Sequence, residues 1–139
     1  MISVVGYSLS ALKAASSSLA ARADNIANSR TTARLDESAG EPSSHREAAE
    51  NIFRPARPVF VARNQGGVDV KIEAVKPSHQ TVFDPRDERA NEEGLVAMPN
   101  VSLEEELVGS LQDRAMHEVN LAVMRTVEEM SGAFWDDEA

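Results

Sequence analysis

The residues that could carry chemistry are three separated histidines, a run of serines and a run of glutamates. Their spacing decides whether they can bind a metal ion or act in catalysis. The histidines are His45, His79 and His117, and none has neighbours that make a convincing zinc site; Asp113 and His117 are four residues apart, but such surface polar pairs are common. No cysteine is present, which excludes disulfides, thiolate zinc sites and cysteine nucleophiles. We therefore expect no metal site and no cofactor.

The serine and glutamate runs have structural explanations. Ser16–Ser18 falls within a predicted helix and has no positioned base, so it indicates small-residue packing rather than a nucleophile. Ser102-Leu103-Glu104-Glu105 resembles a capping box at the start of a second predicted helix, where the carboxylates of Glu104–Glu106 also suit the helix dipole. Gly66 and Gly67 are too few for a phosphate-binding loop and predict a turn. The sequence contains no catalytic constellation, and we predict that the protein is not an enzyme.

Apolar residues at helical spacing lie at both ends of the chain. The N-terminal seam is Ile2, Val5, Leu9, Leu12, Ser16, Leu19, Ala23 and Ile26. The weaker C-terminal seam is Val108, Gln112, Ala115, Val119, Ala122 and Thr126, flanked by Leu111, Val123, Val127 and Met130. A seam repeating every 3.5 residues needs another helix to cover it. That helix is either the other terminal helix of the same chain or a helix of a neighbouring subunit.

Charge is divided unevenly between the two ends. Residues 1–35 carry four basic side chains against one acid, whereas residues 84–139 carry four arginines against fifteen acids. The two ends should attract each other, within a chain or between subunits. The acidic balance argues against nucleic acid as a partner, because phosphate binding needs clustered lysine and arginine. There is no apolar run long enough to span a membrane, and we expect no cleavable secretory signal.

The fold class we predict is mainly α with a small β part, in which the terminal helices pair as a coiled coil. Alternation in Val68–Glu73 indicates a strand, and Val59–Ala62 is its partner across a turn at Asn64–Gly67. Thr81–Phe83 is a candidate third strand. The predicted divisions are an N-terminal helix over 1–32, a flexible linker or short recognition segment over 33–52, a β-hairpin with an extended segment over 53–100, and a C-terminal helix with an acidic tail over 101–139.

Several short motifs, in order along nearly the whole chain, resemble the flagellar axial proteins of the rod and hook. The first helix closes on Ala23-Asp24-Asn25-Ile26-Ala27-Asn28, similar to the family's "Asn-Ile-Ala-Asn" segment. The middle of the chain resembles the proximal-rod subgroup in Gly67-Val68-Asp69-Val70, Val82-Phe83-Asp84-Pro85 and Pro99-Asn100-Val101. The last helix resembles the family's C-terminal domain in Glu105-Glu106-Leu107-Val108 and Asn120-Leu121-Ala122-Val123-Met124.

The resemblance implies a structural subunit of the basal-body rod, which crosses the periplasm. In that family the terminal helices pair and stack into a hollow helical shaft that transmits torque, and subunits leave through the flagellar type III export apparatus. The implied partners are other rod proteins and copies of the same chain. The residues expected at the assembly interface are Val5, Leu9, Leu12, Leu19, Ala23, Ile26, Asn28, Val108, Leu111, Ala115, Val119, Ala122 and Val123. The alternative is a cytoplasmic coiled-coil adaptor or export chaperone.

Overall fold

Two long helices flank a β region in the computed structural model of this chain, which describes residues 2–35 and 52–136. The elements are, in chain order, α1 (Ile2–Asn28), β1 (Ala56–Ala62), β2 (Val68–Ala74), β3 (His79–Phe83), β4 (Leu95–Pro99) and α2 (Leu103–Asp136). The helices pack against each other, and β1 and β2 pack against α1. The predicted fold class, with its paired terminal helices, is confirmed.

Polar side chains set the ends of both helices. Ser102 precedes α2, and its hydroxyl accepts a hydrogen bond of 3.3 Å from the backbone N–H of Glu105, as the capping pattern predicts. At the end of α1, the Thr31 hydroxyl donates to the carbonyl of Asn28 at 2.8 Å, and the Ser29 hydroxyl donates to a carbonyl one turn back. These bonds satisfy backbone groups that the helix ends leave free.

The first hairpin has the turn that its glycines predict. Strands β1 and β2 pair in antiparallel register over their full lengths. Gly66 and Gly67 have φ of 85° and 87°, a region that other residues rarely adopt. Beyond the turn, Arg63 and Asp69 form an exposed ion pair, and the hydrogen bond from the guanidinium lowers the pKa of the Asp69 carboxyl.

A second hairpin replaces the extended segment that the sequence indicates for Asp84–Asn100. Strand β3 does not join the first sheet but pairs in antiparallel register with β4. Val96 and Ala97 of β4 are fully buried, so this strand lacks the alternation that marks a half-buried strand. Gly94, with a φ of 75°, closes the connecting loop, and Pro99 ends the strand.

The start of the predicted linker is packed rather than free. Ala33 and Ala97 exchange two backbone hydrogen bonds of 2.9 Å, which places this stretch beside β4. Leu35 and Ile52 join them in the buried apolar cluster, with Leu95 packed against it. The chain is therefore anchored on both sides of residues 36–51, and the rest of the predicted linker lies outside the described residues.

Candidate assembly surface

A charged network joins α1 to α2 where apolar packing is normally found. The buried carboxylate of Asp113 accepts hydrogen bonds from the Ser18 hydroxyl at 2.6 Å and from Arg22 Nε at 3.0 Å. Arg22 also donates to Glu106 Oε2 at 3.1 Å. The guanidinium lies over Gly109, where a Cβ atom would come within 2.1 Å of Arg22 Cζ. The attraction predicted between the basic and acidic ends therefore operates within the chain at Arg22.

Asn25 extends this network to the first hairpin. Its amide Nδ2 donates to Glu106 Oε1 at 2.6 Å and to the Ala56 carbonyl at 2.7 Å, and its Oδ1 accepts from the Ala56 N–H at 3.1 Å. The side chain is 1% exposed. One amide therefore holds α1, α2 and β1 together, which gives a structural role to the first asparagine of the "Asn-Ile-Ala-Asn" segment.

The turn of the first hairpin rests on the N-terminal half of α1. The Ser10 hydroxyl accepts a 3.1 Å hydrogen bond from the Val68 N–H and donates to the Tyr7 carbonyl. A Cβ atom on Gly66 would meet the Tyr7 ring at 2.6 Å, and one on Gly67 would meet Ser10 Oγ at 2.5 Å. Both glycines are required for close approach as well as for the turn.

Small and polar residues therefore line the inward side of α1. The residues that it buries are Ser8, Ser10, Ala14, Ala15, Ser18 and Asn25. The predicted seam residues lie beside or outside this face: Leu9 is 43% exposed, Ala23 is exposed, and Val5, Leu12, Leu19, Ile26 and Asn28 are half-buried. Contacts within the chain therefore cover this seam only in part.

The predicted seam of α2 lies on the side of the helix that faces away from α1. Leu111 is 64% exposed, Val119 is 62% exposed and Val108 is 55% exposed. The remaining predicted interface residues of this helix are exposed as well, namely Ala115, Ala122 and Val123. The side toward α1 instead carries Glu106, Gly109 and Asp113. We call the exposed set formed by Val108, Leu111, Ala115, Val119, Ala122, Thr126 and Met130 the outer stripe.

A groove of about 400 Å³ follows the line where α1 and α2 meet. Its α1 wall contains Leu19 and residues no larger than serine, whereas its α2 wall is polar. The lining residues are Ala15, Ser16, Leu19, Ala20 and Ala23 from α1 and Asp113, Arg114, His117 and Glu118 from α2. The groove thus brings two predicted α1 interface residues, Leu19 and Ala23, beside α2.

The residues that could carry chemistry are not brought together. Within residues 2–35 and 52–136, no three histidine or acidic side chains are arranged to hold a metal ion. His117 lies in the groove, His79 lies in β3, and His45 lies outside the described residues. Ser18 is a helix-packing residue bonded to Asp113. Neither α1 nor α2, over its described residues, is long and apolar enough to cross a membrane.

Sequence reasoning missed the network of Ser18, Arg22, Asn25, Glu106 and Asp113. A signal was present, because Ser18 and Asn25 are seven residues apart, as are Glu106 and Asp113. The same heptad period therefore runs through polar residues beside the apolar seam. It was overlooked because helix seams are usually recognised by apolar side chains.

Two flagellar rod proteins are similar in sequence to this chain. No protein-family model matches the chain. The flagellar basal-body rod protein FlgC of Salmonella typhimurium is 29% identical over 133 residues, which cover 94% of this chain and 92% of the relative. The protein of the same description from Salmonella typhi matches to the same extent. These relatives are rod proteins and not enzymes, as the motifs predict, and the match runs through both helices and both hairpins. The chain is therefore similar to flagellar basal-body rod proteins over nearly its whole length.

Proposed function

We propose that this chain is a subunit of the proximal rod and that it assembles through its terminal helices into a hollow helical shaft. The observation that carries the proposal is the outer stripe, which stays exposed although α2 is already packed against α1. Burying a leucine or valine side chain contributes roughly 1.5–3 kcal/mol. Covering Val108, Leu111 and Val119 in a neighbouring subunit therefore supplies several kcal/mol toward association.

Different surfaces on α1 and α2 favour an open assembly. The α1 seam around Leu9 and the outer stripe belong to different faces of one helix pair. Contacts between unlike surfaces produce rings when the rotation closes and helical filaments when it does not. Helices packed against neighbouring helices would resist twisting, which suits a shaft that transmits torque.

Export in an unfolded state is supported by the character of the α1–α2 contact. Its centre consists of Ser18, Arg22 and Asn25 against Glu106 and Asp113, so little large apolar surface is buried there. Because apolar burial is the main favourable term in folding, a contact held by a few polar bonds stabilises the helix pair less than an apolar core of the same area would. The chain can then be unfolded for passage through a type III apparatus and become ordered against neighbouring subunits.

An adaptor or export chaperone would place the same helices in a different compartment. A chaperone remains in the cytoplasm, whereas a rod subunit is incorporated into the basal body. The sequence relatives favour the rod. Location therefore distinguishes the two functions.

The test is recovery of an epitope-tagged chain in purified hook–basal bodies, compared with a Leu111→Glu variant. Leu111 is 64% exposed, so the change should leave the monomer folded while placing a charge in the interface. We expect wild-type chain in basal bodies and at least a tenfold loss of incorporation and of swimming for the variant.

A matched control places the same charge on another exposed aliphatic position. Ile72→Glu is suitable because Ile72 is about half exposed on β2 and lies far from the outer stripe. This variant should be incorporated normally. Absence of the wild-type chain from basal bodies would contradict the rod function, and equal loss for both variants would contradict the interface.

A further inference from the structure

An eleven-residue repeat runs through the exposed side of α2. The pairs that recur at this spacing are Val108 with Val119, Leu111 with Ala122, Arg114 with Arg125, Ala115 with Thr126, Glu118 with Glu129, and Val119 with Met130. Eleven residues in three turns give 3.67 residues per turn, close to the period of a straight helix. The outer stripe therefore stays on one side of α2 for about 33 Å.

The groove between α1 and α2 has the complementary shape. Its α1 wall, from Ser16 to Ala23, carries small side chains beside Leu19, so the backbone there can be approached closely. The aliphatic side chains of the outer stripe project from a helix and match such a wall in size. Within one chain the groove and the stripe cannot meet, because they occupy different sides of α2.

Exposed charges favour contact between unlike surfaces. Arg22 is already paired inside the chain, so the exposed charges of α1 are Lys13 and Asp24, which balance, and Arg30 is exposed just beyond the helix end. On α2, the exposed glutamates outnumber the exposed arginines by five to two: Glu104, Glu105, Glu118, Glu128 and Glu129 against Arg114 and Arg125. Two outer stripes placed face to face would bring these acids together, whereas the groove presents the oppositely charged Arg114 and Glu118 from α2 and no acid from α1 between Ser16 and Ala23.

We propose that the outer stripe of one copy docks into the α1–α2 groove of a second copy, in a contact between unlike faces. This inference rests on the proposed rod function and identifies which surface meets which. Each copy then retains a free stripe and a free groove, so the association continues instead of stopping at a dimer.

The absence of cysteine makes the contact open to cross-linking. One copy carries Ala122→Cys on the outer stripe, and a second, with a different epitope tag, carries Ser16→Cys, Ala20→Cys or Ala23→Cys in the groove. All four positions are exposed, so the fold of each copy should be unchanged. The three groove positions span about 10 Å along α1, so they sample that range of axial registers for Ala122.

Both copies are expressed together, basal bodies are purified, and a short bismaleimide is added. For at least one groove position we expect a cross-linked product that carries both tags. Its yield should be several times that of the product formed when Ala122→Cys is the only cysteine variant present. A control copy with Ala62→Cys, exposed on the first hairpin, should give no product with Ala122→Cys.

Two results would overturn the inference. One is a product formed by Ala122→Cys with itself in preference to the groove variants, which would mean stripe against stripe. The other is incorporation of both copies into basal bodies without any product from the three pairs. The second result would leave the rod function standing, whereas absence of wild-type chain from basal bodies would remove the rod function itself.

Discussion

Replacing Asn25 by alanine removes three hydrogen bonds that join both helices to the first hairpin. Two connect its amide to the backbone of Ala56, at 2.7 and 3.1 Å, and one connects it to the Glu106 carboxylate at 2.6 Å. A neutral hydrogen bond contributes about 1 kcal/mol net, and one to a charged group contributes about 1.5–3 kcal/mol. The Asn25→Ala variant should therefore lose about 3.5–5 kcal/mol of unfolding free energy, which lowers Tm by on the order of 15 °C.

Asn28 provides a matched control in the same segment of α1. Its amide donates at 2.9 Å to the Asp24 carbonyl of its own helix, at an exposed site. Asn28→Ala should therefore change the unfolding free energy by less than about 0.5 kcal/mol. Urea unfolding followed by circular dichroism at 222 nm measures both variants. Equal stability of Asn25→Ala and Asn28→Ala would refute the role assigned to Asn25.

The remaining predictions concern two glycines of α2 and one carboxyl group. Gly109→Ala should destabilise the protein by about 1–2 kcal/mol, because the new Cβ displaces Arg22 from both of its ion pairs. Gly132→Ala should stabilise the protein by about 0.5–1 kcal/mol, because alanine has the higher helix propensity and its Cβ meets no atom within 4 Å. Thermal unfolding measures both, and a stabilised Gly109→Ala would contradict the packing. Hydrogen bonds from the Thr32 side chain and the Arg89 backbone lower the pKa of Asp87. Its contribution to stability is therefore present above the unfolded pKa and lost as the pH falls through the folded value. Thr32→Val should raise the Asp87 midpoint in an NMR titration, and an unchanged midpoint would contradict this contact.

Local patterns predicted the helices and the first hairpin because their signals lie within short stretches. The apolar period of α1, the cap at Ser102 and the turn at Gly66–Gly67 each depend on neighbouring residues. Strand β4 was missed because Gly94 and Pro99 resemble loop punctuation and because its buried residues do not alternate. Its burial depends on Ala33 and Leu35, about 60 residues earlier, and no local pattern encodes that distance.

The apolar seam residues could be recognised from sequence, but whether the same chain covers them could not. The apolar period marks Leu111 and Val119 as residues that need a cover, and the same period is compatible with an internal or an external helix. In the structure Arg22, Asn25 and Asp113 occupy the contact within the chain and leave the outer stripe exposed, which supports the proposal of an external partner. Polar residues thus define the pairing within the chain, and apolar residues remain available for association.

The most direct test of this account is maleimide labelling of a Leu111→Cys variant, first as the isolated chain and then in purified basal bodies. Leu111 is 64% exposed in the single chain, and the sequence has no other cysteine to react. We predict rapid labelling of the isolated chain and at least a tenfold slower reaction after incorporation, because the outer stripe is covered by a neighbouring helix. Equal labelling rates in the two states would contradict the central claim that α2 assembles through this stripe.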